Sequence, residues 1–380
     1  MLPYYFVFVF GIIYLQYAKG EKRTDSTLLA VFMTSLALFV GLGDMIGGYD
    51  RYIYGELFDG LADNLWDGKL FDSILFQLYP REIGYNLWNV LVAVFTSNRY
   101  VFIFLTTLLI YFLMFRAIKQ YTVNYPLATI VFLGIFYYFT MTYLRQAIAV
   151  GVVWNAVHYI WERKFWPYLL MVVFAATFHN SALIALLAYI VGYQYIPQKQ
   201  VTMILLVSFV LAFSPFATML LALSGDVLDN VQRGEAYAGD FLGFRFDYVL
   251  EVIVFMYIYK RNEKLIPRDK VTMTYMNISY IFCAILLIFM RFGQGGRIGW
   301  FFMIGFIYCL SLFATMKRRI GDMKLFVVLI SMLLFLRITN DWSSILTPYK
   351  TFLTNGEPSG KIVYDLFEYD KRYTDDKFYR

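Results

Sequence analysis

The run VTMTYMNISYIFCAILLIFM at 271–290, the turn RFGQGGRIGW at 291–300, and the apolar stretch that continues to Met316 decide the fold. No charge interrupts 271–290. At 1.5 Å of rise per residue such a helix is about 30 Å long, the thickness of a bilayer's hydrocarbon core. Working outward, the same alternation recurs over the whole chain, with apolar blocks separated by short charged connections. The composition agrees: 60% of the 380 residues are apolar and 16% charged, with a mean hydropathy of +0.58. A soluble globular chain carries roughly 45–50% apolar and 25% charged residues. A soluble enzyme, a disordered tail and a disulfide-stapled secreted domain are excluded. Chemistry is expected to fall to the bundle and its loops. Cys283 and Cys309 lie inside apolar blocks, where a thiol acts as a small hydrophobe. The first run lacks the basic start of a signal peptide and reads as a retained helix.

Lysine and arginine in short loops set orientation. The connections around 19–23, 116–119, 163–164, 199, 260–270 and 317–324 hold most of the surplus positive charge and are placed inside. The net charge of +6 is therefore an orientation signal, not a nucleic-acid footprint. This predicts an all-α polytopic membrane protein with about 12 transmembrane helices, at 3–18, 27–46, 100–116, 126–143, 146–161, 165–178, 181–196, 201–223, 246–259, 271–290, 298–316 and 324–341. Both termini fall outside. The stretch 83–97 reads as one re-entrant or interfacial helix. A bundle over 1–341 thus carries extracytoplasmic loops at 47–99 and 224–246 and an extracytoplasmic tail at 342–380. The pattern within 47–82 predicts short amphipathic helices on the membrane surface.

Ionisable groups at membrane depth cost roughly 2.5–3.5 kcal/mol each, so each asks for a reason. They gather on the outer side: Asp44, Asp50, Arg145 with Gln146, His179 beside Asn180, Arg245 with Asp247 and Glu251, then Arg291 and Arg297 around Gly295 and Gly296. Converging arginines point to an anionic ligand, because guanidinium forks bind phosphate oxygens bidentately. Glycines in 291–300 would turn backbone amides toward an anion at the start of the eleventh helix. The same pattern also serves a turn whose arginines snorkel to headgroups. A neutral imidazole at His179 can take a proton from a sugar hydroxyl, or serve structurally; His158, mid-helix, reads as structural. No metal-ligand spacing, Walker loop or Rossmann fingerprint is present, so neither cofactor nor metal is expected.

At these residues the sequence resembles the EpsG family of bacterial polysaccharide-assembly proteins, a Wzy-like group. The matching pieces are Gly48-Tyr-Asp-Arg-Tyr52, Arg81-Glu-Ile-Gly-Tyr-Asn-Leu87, Leu144-Arg-Gln-Ala-Ile-Ala149, Ala175-Ala-Thr-Phe-His-Asn-Ser-Ala-Leu183, and Arg297. The resemblance implies a GT-C-like bundle in the bacterial cytoplasmic membrane. It implies polymerisation of undecaprenyl-pyrophosphate-linked oligosaccharide repeats at the outer face, for capsule, exopolysaccharide or O-antigen, by inverting, metal-independent glycosyl transfer. Carried onto this chain, Arg145 and Arg297 would hold the pyrophosphate and His179 would sit at the acceptor. Charge and position add Arg245 and Arg291, and Tyr49, Asp50, Gln146, Asn180, Gly295 and Gly296 complete the expected substrate side, Asp50 being the alternative base. The expected partners are lipid-linked donor and acceptor and the bilayer, with a flippase and a chain-length regulator as neighbours. A flippase or transporter for the same glycan is the alternative function. A ligase, a membrane O-acyltransferase and a structural assembly partner are the further readings.

Overall fold

The computed structural model describes residues 1–43, 49–220, 243–293, 295–316 and 323–353. Among the described residues the chain is helical throughout and forms no strand. A helix occupies each of the twelve predicted segments. Four are long and apolar enough to cross a membrane: Arg99–Tyr121, Lys270–Ile288, Gly295–Thr315 and Met323–Asp341. Six more are apolar but shorter. Several start at side-chain caps: Asp25 accepts from Thr27 and Leu28, Asn98 from Tyr100 and Val101, and Asp269 from Thr272. Such caps satisfy backbone N–H groups that a helix start leaves open.

The chain divides into two compact units: Met1–Asn155 with Phe174–His179 and Leu310–Arg380, and Ala156–Val173 with Asn180–Cys309. In the first unit the helix Tyr125–Ile135 is buried on every side from Tyr125 to Gly134. It packs on Met323–Asp341 so closely that a Cβ on Gly134 would lie 2.7 Å from the Ser331 carbonyl oxygen. Small residues of this kind let helix backbones meet within a membrane. The predicted continuous span 126–143 is broken after Ile135. There the Tyr137 N–H reaches back five residues to Phe132 O at 3.1 Å, a wide turn that ends the regular ladder. The Tyr138 hydroxyl meets Thr339 at 2.5 Å.

Outward faces of both units are apolar. Leu2, Phe6, Val9, Ile13 and Tyr17 form an exposed row on Leu2–Tyr17, as Leu325, Leu329, Leu333 and Leu336 do on Met323–Asp341. In the second unit, Met203, Leu206, Val207 and Val210 do the same on Gln198–Leu211. Contiguous apolar rows of this extent are a liability in water and the ordinary surface of a protein in lipid. The helices Lys270–Ile288 and Gly295–Thr315 are, by contrast, mostly buried.

The stretch 83–97 contains the helix Ile83–Ala93, 11 residues long and about 16 Å in length. It exposes Ile83, Leu87 and Leu91 and buries Tyr85, Asn86, Asn89 and Val92. The segment 47–82, expected to hold short helices, instead contains one 18-residue helix, Tyr49–Trp66, with shorter turns after it. Beyond Asp341, residues 349–352 return to the end of Ser26–Gly41. Tyr349 stacks on Phe39 at 4.4 Å and Phe352 N–H donates to Leu42 O.

Candidate active site

The helix Tyr49–Trp66 buries Arg51, Tyr54, Phe58, Asp59, Leu61 and Ala62 on one face, the spacing of successive helical turns. Near its start, Arg51 donates to Val40 O and Gly43 O at 3.0 and 3.1 Å, satisfying carbonyls that the end of Ser26–Gly41 leaves open. Further on, the buried Asp59 accepts from Arg99 Nε at 2.7 Å, and Glu56 from Arg99 Nη2 at 3.3 Å. Phe58 stacks on Phe102 at 4.4 Å. Between these two anchors, and on the same face, lies Tyr54.

Tyr54 looks onto Arg145. This guanidinium stands at the start of the helix Leu144–Ala156, is 7% exposed, and donates through Nη1 to the Glu82 carboxylate. Three tyrosine rings surround it: Tyr79 at 3.8 Å, Tyr54 at 5.5 Å and Tyr85 at 5.7 Å. Cation–π contact is stronger in a desolvated site, and a buried charge needs such compensation. The Arg145 Nε is buried with no acceptor among the described residues. Burial pushes the Tyr54 phenol up to about 12, against the pull of the Arg145 charge. That hydroxyl stays protonated through the physiological range.

The segment 82–86 that pairs with Arg145 also holds the His179 turn. Tyr85 N–H donates to Thr177 O at 3.2 Å. Thr177 Oγ1 fills the place a Cβ on Gly84 would take, with Thr177 Cβ at 3.0 Å and Phe178 Cε2 at 3.1 Å from it. Only glycine lets the two chains come so near. His179 itself is half-buried and its N–H donates to Ala175 O. Arg145 and His179, 34 residues apart in sequence, are thus tied to one short scaffold. Gln146 is buried beside Arg145 in sequence, and Asp50 is half-buried in the first turn of Tyr49–Trp66.

The remaining expected residues belong to the second unit. Arg245 grips Asp247 through two bonds of 2.9 and 2.5 Å, and its guanidinium lies 4.3 Å from the Tyr248 ring. The bonds to Asp247 hold the Arg245 guanidinium protonated far above its ordinary range, despite partial burial. Its N–H donates to Met290 O. Arg291 lies against Phe213 and Arg297 against Trp300, both half-buried. Asn180 opens the short helix Asn180–Ala185. Gly295 and Gly296 fall inside the first turn of Gly295–Ile298, three residues earlier than the predicted start. Both are buried. The backbone of Phe289 (carbonyl oxygen at 2.6 Å) occupies the Cβ place of Gly295, and the Tyr248 hydroxyl that of Gly296. Close packing therefore explains these glycines directly. The Tyr49 side chain, Asp44, Gln294 and most of the 224–246 loop lie outside the described residues, as does the tail beyond 353. Among the described residues no three His, Cys, Asp or Glu side chains gather to hold a metal ion.

The sequence reading singled out Arg145 and His179 but assigned nothing to Glu82, Tyr54, Tyr79 or Tyr85, nor to the anchors Arg51, Asp59 and Arg99. Glu82 and Tyr85 lie within the motif 81–87 and Arg51 within 48–52, the available signals; Tyr54, Asp59, Tyr79 and Arg99 lie in none.

An all-helical protein with lipid-compatible faces and a buried, ring-enclosed arginine at a helix start is a membrane protein with a charged site. The chain belongs to the EpsG family, whose sequence model matches residues 26–351, a span that takes in Glu82, Arg145, His179 and Arg297. Membership places it among membrane proteins of the polysaccharide-polymerase type. No curated protein sequence and no solved structure matches the chain.

Proposed function

We propose that this chain polymerises lipid-diphosphate-linked oligosaccharide repeats at the outer face of the bacterial cytoplasmic membrane, its twelve helical segments crossing the bilayer. The observation that carries the reading is Arg145, buried among three tyrosine rings with Nε open, on the scaffold that also grips the His179 turn. The rings offer faces for sugar C–H groups. A guanidinium with one N–H unspent offers a donor to a phosphate or glycosidic oxygen.

In the proposed reaction a terminal hydroxyl of the incoming repeat attacks the anomeric carbon of the growing chain. The new C–O bond forms as the bond to the lipid diphosphate breaks, and the diphosphate leaves with the electron pair. The hydroxyl proton passes to His179, with Asp50 the alternative acceptor. Fixed guanidinium groups stabilise the charge that develops on the leaving group, typically the largest catalytic contribution. Arg145 is assigned that task in the first unit; Arg291 and Arg297, with Arg245 already paired with Asp247, are proposed as anion-binding groups of the second unit. A single displacement inverts the anomeric configuration.

Deleting the gene in its native host and restoring it with Arg145→Ala tests the reading. Single lipid-linked repeats exposed on the outer face, with long polymer lost in both strains, support it. Repeats retained on the inner face would overturn it in favour of a flippase.

A further inference from the structure

In the second unit a cationic and aromatic cluster stands at the connections the charge pattern places inside. The helix Leu186–Val191 ends at Gly192, where φ is +68°. Asn277, from within Lys270–Ile288, donates its side-chain amide to both Gly192 O and Gln194 O, at 3.0 and 2.9 Å. The short loop carrying Tyr193 and Tyr195 is therefore fixed from below. Three cations lie over it. Lys270 Nζ is 5.1 Å and the Arg163 guanidinium 6.0 Å from the Tyr193 ring, while Arg268 is 4.4 Å from the Tyr195 ring.

Two positive charges share one tyrosine ring. Among the described residues none of the three cations has an ion pair: the adjacent Glu162 pairs with Lys164 at 2.9 Å, the adjacent Asp269 accepts from Thr272, and Glu263 accepts from the Tyr195 hydroxyl at 3.5 Å. Arg163 also adopts φ +55°, a conformation uncommon outside glycine and costly to hold. Gathering like charges on a pinned loop in this way favours an anion.

The neighbouring surface says which kind. From Arg163 the helix Phe165–Ala176 begins, and its exposed row is Trp166, Leu170 and Val173, at 69, 67 and 46% exposure. Trp and Tyr collect at the headgroup level of membranes, with the apolar row continuing into the acyl region. Basic pockets on the cytoplasmic side of helix bundles hold anionic lipid headgroups. A soluble anion would have no use for the apolar row.

We propose that Arg163, Arg268 and Lys270, set on Tyr193 and Tyr195, bind the headgroup phosphate of an anionic phospholipid of the inner leaflet, its acyl chains lying along Trp166, Leu170 and Val173. The site is independent of the polymerase reading.

The test is native mass spectrometry of the full chain titrated with dioleoyl-phosphatidylglycerol or dioleoyl-phosphatidylcholine. Wild type is expected to bind the anionic lipid in preference. The triple variant Arg163→Gln, Arg268→Gln, Lys270→Gln should lose on the order of 100-fold of that preference. A control with the same charge removed in the other unit, Lys19→Gln, Lys22→Gln, Arg23→Gln, should keep it. Should the triple variant not elute as a single species, Lys270→Gln alone carries the test, with about a fivefold loss. Equal losses in both triple variants would mean diffuse charge attraction and overturn the site. Full competition by inorganic phosphate would also overturn it, as a site for a free anion.

Discussion

The Glu82–Arg145 pair separates what holds the site together from what it does. Both side chains are 8% exposed, so Glu82→Gln leaves a buried guanidinium without its counter-charge. Breaking a buried pair by removing one partner costs about 3–5 kcal/mol. The surrounding tyrosines soften the loss, since each cation–π contact in a desolvated site is worth up to roughly 2 kcal/mol. The expected outcome is a destabilisation of about 2–4 kcal/mol, read as a lowered Tm in detergent. Replacing both partners by methionine removes the charges together, and such exchanges are often neutral or stabilising. Glu82→Met, Arg145→Met should therefore recover most of the stability lost in Glu82→Gln. It should recover none of the polymer length, measured on extracted lipid-linked glycans by gel electrophoresis, because the open guanidinium donor is gone. A doubly substituted protein that makes long polymer would refute the assignment of Arg145 to catalysis. One no more stable than Glu82→Gln would refute the burial argument.

Other outcomes follow from neighbouring contacts. Gly84→Ala should push the Thr177–Phe178 turn away, at a cost of about 1–3 kcal/mol of overpacking, and shorten polymer; adding Thr177→Gly should restore part of both, checked by Tm and glycan length. Asp59→Asn leaves buried Arg99 poorly compensated and should loosen the helix Tyr49–Trp66, seen as faster amide exchange across its buried face. The Tyr54 phenol, raised from 10.0 to about 12 in the fold, contributes stability that is intact below pH 10 and lost as pH rises toward 12. Tyr54→Phe should therefore flatten the alkaline limb of a stability–pH curve without altering it below pH 9. His179→Ala should leave donor binding unchanged and stop elongation; unchanged elongation would return this histidine to a structural role.

Much of the helical framework was legible because apolar runs and charged connections alternate on the scale of a bilayer. The single helix Tyr49–Trp66 was harder, since its buried face carries Arg51, Tyr54 and Asp59 and so lacks the continuous apolar periodicity that marks a helix. The break after Ile135 is hard to see in the sequence, because Phe136 to Tyr138 carry no charge, glycine or proline to mark it. Arg145 announced itself as an arginine at a helix end. Its partner could not: Glu82 lies 63 residues away, and a lone glutamate in a connection resembles any interfacial acid. The glycines of 291–300 show the opposite failure, since one pattern serves an anion nest and close packing alike. The Cβ places of Gly295 and Gly296, taken by Phe289 and Tyr248, meet the second demand.

The most direct test of the central claim is elongation by the purified protein in liposomes, fed a labelled lipid-diphosphate-linked repeat, with wild type beside Arg145→Lys. Lysine keeps the charge and loses the planar fork that stacks on Tyr79. The account predicts a ladder of lengthened lipid-linked glycans with wild type and little beyond the single repeat with Arg145→Lys. Movement of unextended repeats across the bilayer by wild type, with no ladder, would contradict it.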